Sequence, residues 1–190
     1  MKKSLGANTI ALPLPAWVIC SYDESGQPNA MTASWAGVCC SDPPLVYFSA
    51  RKSRYTYACV MAHRAFTVNI PGAEHTAATD YLGTISGRKA DKISAAGLTA
   101  EPAEQIDAPY LAEFPLVLVC KLVKTEPLGT HTMFIGEIAD VLCEESLLDT
   151  DGNLDAAKLR PFIYSTADST YYAVTDALGQ GFKLGRHLIK

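Results

Sequence analysis

The stretch Leu45-Val46-Tyr47-Phe48-Ser49-Ala50-Arg51-Lys52-Ser53-Arg54-Tyr55-Thr56 runs from a predicted strand, through a short basic turn, into a predicted helix. A helix N-terminus offers free backbone N–H groups and a positive partial charge, both of which favour a phosphate. The side chains of Arg51 and Lys52, with the hydroxyls of Ser53 and Thr56, add charged and neutral donors. A solvated basic turn with a capping serine explains the same residues equally well. By itself, the segment therefore predicts an anion site without excluding the structural explanation.

The apolar pattern predicts strands over most of the chain, with few helices between them. The helix after the basic turn is indicated by Tyr57, Val60 and Met61 at i, i+3 and i+4, with Ser53 as the expected N-cap. Further helices are predicted over 73–85 and 88–96, and turns over 23–28, 42–44 and 126–129. Strands are predicted over 16–22, 29–35, 45–49, 65–70, 116–124, 131–143, 162–164 and 170–174.

The order of these elements favours a mainly β fold, a closed or split antiparallel β-barrel with helical insertions. Strands and helices do not alternate regularly, which argues against a doubly wound parallel sheet. Neither an internal repeat nor an interdomain linker interrupts the sequence, so we expect one domain over 1–190. The glycine-rich, basic segment 179–190 is expected to lie over a partner surface.

Composition excludes several classes of protein. The 190 residues carry a net charge of -4, with 48% hydrophobic and 19% charged residues, which argues against a nucleic-acid-binding protein. No apolar run reaches the roughly 20 residues of a membrane helix, and no signal peptide is recognisable, so a cytoplasmic location is expected. The six cysteines are expected to be buried free thiols. Cys39 and Cys40, as strand neighbours, are expected to point to opposite faces and so not to pair.

Other catalytic or metal-binding patterns are weak. His63, His75, His131 and His187 lack metal-ligand spacing, so no metal site is predicted. Neither a G-x-S-x-G elbow nor a G-x-G-x-x-G dinucleotide motif is present. The segment 149–153 resembles part of a calcium loop but lacks its final glutamate, and an acidic turn explains it better.

The segment Asn29-Ala30-Met31-Thr32-Ala33-Ser34-Trp35 is rich in small residues and ends at an aromatic one. A flat heterocycle needs an approachable backbone edge and a ring surface on which to rest, and Trp35 offers such a surface. Taken alone, Trp35 is more typical of a core residue. Together with the basic turn, the segment is suited to one ligand with a ring at one end and a phosphate at the other.

Four segments in register resemble the flavin-reductase-like family with the FMN-binding split barrel, and its flavoredoxin branch above all. They are 29–35, 49–56, 66–71 and 86–92, and the resemblance covers most of the chain, weakening after about Gly129. It implies non-covalently bound FMN, a homodimer, and electron transfer by a flavoredoxin-like carrier or a flavin reductase that uses NADH, NADPH or a redox protein as donor. A non-catalytic FMN-binding or storage module requires the same residues and stays open.

The resemblance also implies which residues hold the cofactor, and it names no catalytic side chain. The strand 29–35 would border the flavin ring, and the turn after residue 50 would hold the phosphate. Asn69 and the 86–92 loop would close over the ring or the chain, and Tyr164 and Tyr171 would add contacts from the late strands. The implied cofactor-binding residues are Asn29, Met31, Thr32, Ser34, Trp35, Arg51, Lys52, Ser53, Thr56, Asn69, Ser86, Lys92 and Tyr164.

Overall fold

The computed structural model describes residues 1–189 and is built around a seven-stranded antiparallel sheet. The strands lie in the order β3-β2-β6-β9-β10-β5-β4. Most of them coincide with apolar runs of the sequence, because alternating burial on a pleated surface selects such patterns. Their bounds are β2 Trp17–Tyr22, β3 Pro28–Ala33, β4 Ala36–Ser41, β5 Pro44–Ala50, β6 Ala65–Ile70, β9 Leu116–Leu128 and β10 His131–Cys143.

Covalent connectivity forces this sheet to curl. β3 and β4 are its two edge strands, yet only Ser34 and Trp35 separate them along the chain. Two residues span less than about 10 Å, so the opposite edges of the sheet must meet at this point. The backbone N–H of Ser49 in β5 donates to the carbonyl of Trp35 at 2.8 Å, which extends the β4–β5 ladder into this connection. The predicted split β-barrel is confirmed.

The two faces of the sheet pack against different partners. In β2, the side chain of Ile19 lies in the barrel interior with Phe48, Phe66 and Phe134. Its neighbours in the strand, including Val18, face outward and pack beneath helical residues such as Leu82. Because successive strand residues alternate between faces, this single strand contributes to both cores. The outer core fixes the helices against the barrel wall.

Four α-helices pack on the barrel within residues 1–189, and two helix predictions need correction. Arg54, not Ser53, is the N-cap of α1, and no side chain caps that helix. Met61 is 38% exposed, because the buried face of α1 is formed instead by residues such as Cys59 and Val60. The predicted helix over 88–96 is reduced to one short turn after the cap at Asp91. The bounds are α1 Tyr55–His63, α2 Thr76–Thr84, α3 Lys92–Ala95 and α4 Ala156–Leu159, with a 3₁₀ turn over Ala73–His75 before α2.

The joint predicted over 126–129 is mostly strand. β9 continues to Leu128, and Pro127 pairs with Thr132 of β10. β6 pairs with β9 only as far as Lys121, so Pro127 has a single neighbouring strand and its missing N–H breaks no second ladder. Only Gly129 and Thr130 connect the two strands.

Smaller strands complete the fold. β11 Phe162–Ser165 and β12 Thr170–Ala173 form the predicted pair, and β1 Leu14–Pro15 adds to β11. β7 Ala100–Pro102 and β8 Pro109–Leu111 form a separate two-stranded sheet. The sequence patterns did not indicate β1, β4, β7 or β8, because these strands lack a clear apolar run.

The thiols are less buried than the sequence predicted, and the C-terminal segment is exposed. All six cysteines are free, as predicted, but only Cys20, Cys59 and Cys120 are buried, and Cys39 is exposed. Residues 174–189 are exposed, and Lys190 lies outside the described residues, so the expected partner contact of the segment stays a prediction. Within residues 1–189, no helix has the length and hydropathy to span a membrane.

Candidate functional site

Three adjoining cavities form one depression on the barrel wall, between β3, the N-terminus of α1, the end of α2 and the strand pair β11–β12. Their volumes are about 270, 100 and 400 Å³. Arg54 lines all three cavities, and Met31, Thr32, Ser34 and Gly83 each line two of them. The depression therefore brings the basic turn and the small-residue strand to one place, as the sequence predicted.

The basic turn forms one end of the depression. The turn is closed by a hydrogen bond of 3.0 Å from the N–H of Arg54 to the carbonyl of Arg51. No carboxylate of residues 1–189 lies within 4 Å of the guanidinium of Arg51 or of Arg54. The first turn of α1 carries no acidic residue and no side-chain cap. The N–H of Tyr57 donates to the carbonyl of Arg54, so the N–H groups of Tyr55 and Thr56 are the ones available to an anion. Ser53 lines the 100 Å³ cavity, whereas Lys52 is exposed and lines none of the three.

His131 extends this basic end from the neighbouring strand β10, which pairs with β5. It begins β10 and lines the 270 Å³ cavity with Trp35, and the two ring centroids lie 4.7 Å apart. Burial, followed by the nearby charges of Arg51 and Arg54, lowers the pKa of His131 below its usual 6.5. The imidazole is therefore neutral at pH 7 and is held close to two positive charges.

The wall of the depression is the edge strand β3. Met31 is buried, whereas Thr32 and Ser34 are partly exposed to the cavities. The hydroxyl of Thr32 donates to the carbonyl of Thr79, which ties α2 to the strand. Gly83 permits this approach, because a Cβ at that position would lie 3.2 Å from the Cβ of Thr32. Small residues on both elements keep the cavity floor open.

Lys92 forms a buried positive group at the bottom of the 100 Å³ cavity. It is only 4% exposed, and its Nζ donates to the carbonyls of Leu82 at 2.7 Å and Ile85 at 2.8 Å. An ammonium carries three N–H donors, so one remains for a ligand. Burial lowers the pKa of Lys92 to about 8, which leaves it mostly protonated at pH 7. Ser86, from the preceding loop, lines the same cavity.

Asn29 and Thr56 lie side by side at the back of this cavity. The Nδ2 of Asn29 donates to the Oγ1 of Thr56 at 2.8 Å, and Thr56 also lines the 100 Å³ cavity. Asn29 is 3% exposed, and its Oδ1 has no hydrogen-bond partner among residues 1–189. Gly87 packs directly against this oxygen, and a Cβ there would also lie 3.1 Å from the ring of Tyr55. Asn29 itself lines an adjoining cavity of about 530 Å³.

Two tyrosines form the far wall of the depression. Tyr164 lines the 400 Å³ cavity, and its ring centroid lies 5.2 Å from that of Tyr171. The hydroxyl of Tyr171 donates to the Oδ1 of Asp80 at 3.0 Å. Burial, and then this bond to a carboxylate, raise the pKa of Tyr171 well above its usual 10. The predicted Tyr164 is thus one half of an aromatic pair that is fixed to α2.

Asn69 lines none of the three cavities, although the sequence predicted that its side chain would close over a ligand. The side chain is fully buried, where its Nδ2 donates to the carbonyl of Val18 at 3.1 Å and to the hydroxyl of Thr67 at 2.9 Å. Its Oδ1 accepts the backbone N–H of Leu111 at 2.8 Å. Asn69 therefore joins β2, β6 and β8 within the core and is a structural residue.

The sequence prediction also omitted residues that line the depression. They include Arg54, Asp80 and His131. Arg54 was inside the basic segment, and its position next to a helix start was a usable signal. The other two come from elements distant in sequence: the pairing of β10 with β5 brings His131 to the turn, and the packing of α2 against β3 brings Asp80 to the depression.

Comparison with known proteins matches this arrangement to one family. Residues 10–167 match the family described as "Flavin reductase like domain". The structure superimposes on a flavoredoxin of Desulfovibrio vulgaris (Miyazaki F) with a TM-score of 0.93 and 44% identity, covering 98% of this chain and 100% of that one. A flavoredoxin from Methanosarcina acetivorans gives a TM-score of 0.92 and 29% identity, with 100% of both chains covered.

A curated but uncharacterised protein of Archaeoglobus fulgidus is 32% identical over 137 residues, covering 72% of this chain and 76% of its own length. The family match alone spans most of the chain and includes all the strands of the barrel. The chain belongs to the flavin reductase like family.

Proposed function

We propose that this protein binds FMN non-covalently in the depression and transfers electrons, as a flavoredoxin-like carrier or as a flavin reductase. The observation that supports this most strongly is that Arg54 joins three cavities, one beside an uncapped helix N-terminus and the others beside the small-residue strand β3. A ligand with an anionic end and a flat end meets suitable chemistry at each place. The similar flavoredoxins and the family match support a flavin as that ligand.

The phosphate of FMN would be held by the basic turn. Arg51 and Arg54 supply charge-assisted donors, and the first N–H groups of α1 supply neutral ones. Because His131 is neutral near pH 7, it is suited to accept or donate one hydrogen bond without a charge of its own. Riboflavin lacks the phosphate and would use none of these contacts.

The ring would lie against β3. Ser34, Thr32 and the backbone of Met31 offer hydrogen-bonding groups along one edge, and Trp35 offers an aromatic surface. Lys92 has one N–H donor left and a buried positive charge, which suit the part of a ring that becomes negative on reduction. The unpartnered Oδ1 of Asn29 lies directly behind this position and is available to a donor if Gly87 moves aside.

The bound flavin would supply the redox chemistry, accepting two electrons from a donor and passing them on. The residues of the chain bind it, orient it and set the charge around it, so no side chain is assigned as an acid or a base. The donor we propose is NADH, NADPH or a reduced redox protein, and the 400 Å³ cavity beside Tyr164 leaves room for part of it. We also propose a homodimer, with the exposed C-terminal segment reaching across to the second copy.

Two measurements test the proposal. Purified protein should be yellow, or should take up FMN with a 1:1 stoichiometry and quench its fluorescence. Anaerobic mixing of the loaded protein with NADH, NADPH and a reduced ferredoxin should then bleach the flavin with at least one donor. Failure to bind FMN would refute the assignment, whereas binding without reduction by any donor would favour a storage module.

A further inference from the structure

The outer face of β4 carries two adjacent thiols that the proposed function does not use. Cys39 is exposed and Cys40 is partly exposed, in contrast to the buried thiols of Cys20, Cys59 and Cys120. Both sit at the corner where β4 turns into β5. The Sγ of Cys39 lies 3.6 Å from the carbonyl of Leu45.

A β-bulge turns both thiols to the same face of the sheet. Val38 pairs with Val46 and Cys40 pairs with Leu45, so Cys39 is the extra residue. Val38 pairs with the buried Val46 and so lies on the inner face, although the open edge of β4 leaves it 65% exposed; the next residue, Cys39, therefore lies on the outer face. Directly opposed residues share a face, and Leu45 lies on the face opposite to the buried Val46, so its partner Cys40 is also on the outer face. The sequence-based expectation of opposite faces assumed a regular strand and is wrong here.

The geometry disfavours a disulfide within this pair. Adjacent Cα atoms are held about 3.8 Å apart by the peptide bond, whereas disulfides prefer about 4.4–6.8 Å. Thiol exchange with a small disulfide is disfavoured as well, because burial, followed by the neighbouring Cys40 sulfur, raises the pKa of Cys39 and lowers its thiolate fraction. Two thiols side by side on one face instead suit a soft centre that bonds to both sulfurs.

We propose that Cys39 and Cys40 form a two-thiol chelating site for a soft, thiophilic centre such as trivalent arsenic. With phenylarsine oxide the reaction is balanced and non-redox: the As=O oxygen leaves as water with the two thiol protons, and two As–S bonds form. Arsenic stays trivalent throughout. Soft thiolate ligands select such centres over Mg²⁺ or Ca²⁺.

The experiment is titration of the intact protein with phenylarsine oxide, followed by native mass spectrometry, in which the mass of the complex gives the number of phenylarsenic groups bound and of thiol protons lost. We expect one equivalent to bind and two thiols to disappear. Cys39→Ser and Cys40→Ser should each weaken binding by about 100-fold or more, since a second tethered contact gains roughly that factor. Cys143→Ser, which alters another partly exposed thiol, is the matched control and should bind as the unchanged protein does.

A second arm separates chelation from single-thiol labelling. The complex should be reversed by 2,3-dimercaptopropanol and resist an equal thiol concentration of 2-mercaptoethanol. Near-normal binding by Cys39→Ser, loss of only one thiol, or reversal by the monothiol would each overturn the proposal. Serine replaces cysteine at nearly equal volume on an exposed face, and an unchanged circular dichroism spectrum confirms that each variant is folded.

Discussion

Replacing Arg54 with alanine tests the phosphate end of the proposed site directly. Arg54 lines all three cavities and has no carboxylate of residues 1–189 within 4 Å, so its charge is available to a ligand. A hydrogen bond to a charged partner contributes about 1.5–3 kcal/mol. Because Arg54 is exposed before binding, we expect the lower part of that range, about 1.5–2 kcal/mol, or about 10- to 30-fold in Kd for FMN.

The assay is fluorescence titration of FMN and of riboflavin against the same protein preparations. Arg54→Ala should lose affinity for FMN and keep its affinity for riboflavin within about 2-fold, which corresponds to less than 0.5 kcal/mol. Lys52→Ala is the matched control, because it removes one positive charge from the same turn at a residue that lines none of the three cavities. At an ionic strength of about 1 M, where the Debye length falls to about 3 Å, the difference between the ligands should shrink.

Two outcomes would refute this reasoning. An equal loss for FMN and riboflavin would mean that Arg54 contacts the ring or shapes the cavity, and that the phosphate lies elsewhere. A larger loss from Lys52→Ala than from Arg54→Ala would place the phosphate on the exposed side of the turn.

Three further predictions concern the fold. Gly136→Ala should destabilise the protein by about 1–3 kcal/mol through overpacking, because the added Cβ would overlap the Phe66 ring in the barrel core, 2.7 Å from its Cε1 atom. Chemical denaturation measures this loss. Asn69→Ala should lower the free energy of unfolding by about 1–3 kcal/mol, since buried backbone groups lose their partner, and should leave FMN affinity unchanged. The Nδ1 of His63 lies 2.7 Å from the Oδ2 of Asp107, and this hydrogen bond is the main reason that the pKa of His63 is raised above 6.5. The contact should therefore stabilise the fold fully below pH 6.5 and lose its effect as the pH rises through the raised pKa. His63→Gln should flatten this part of the stability–pH curve.

Each of these predictions has a control variant or an outcome that would contradict it. Gly181→Ala adds the same methyl group where nothing lies within 4 Å, and should leave the free energy of unfolding nearly unchanged. A large loss of FMN affinity in a folded Asn69→Ala protein would restore Asn69 as a site residue. An identical pH dependence in the unchanged protein and in His63→Gln would show that the contact with Asp107 does not stabilise the fold.

Much of the fold was readable from local patterns. The runs that became β2, β5, β6 and the β11–β12 pair are short, apolar and bounded by turn residues. Residues that are neighbours in the chain are therefore enough to indicate these strands. The segment from Ser49 to Thr56 was likewise readable as an anion site, because a strand end, basic side chains and a helix start are all local features. The helix predicted over 88–96 was wrong because its polar first half forms a turn that an apolar count does not detect.

The sequence alone thus determined most of the strands, the basic turn and the family resemblance, since each depends on residues that are neighbours in the chain. The tertiary structure decided the features that depend on strand pairing and on register. The pairing of β10 with β5 brings His131 to the arginines, the bulge in β4 turns Cys39 and Cys40 to one face, and the packing of β8 on β6 buries Asn69. These contacts join residues far apart in sequence, and their register depends on the closure of the whole barrel, which no local pattern encodes.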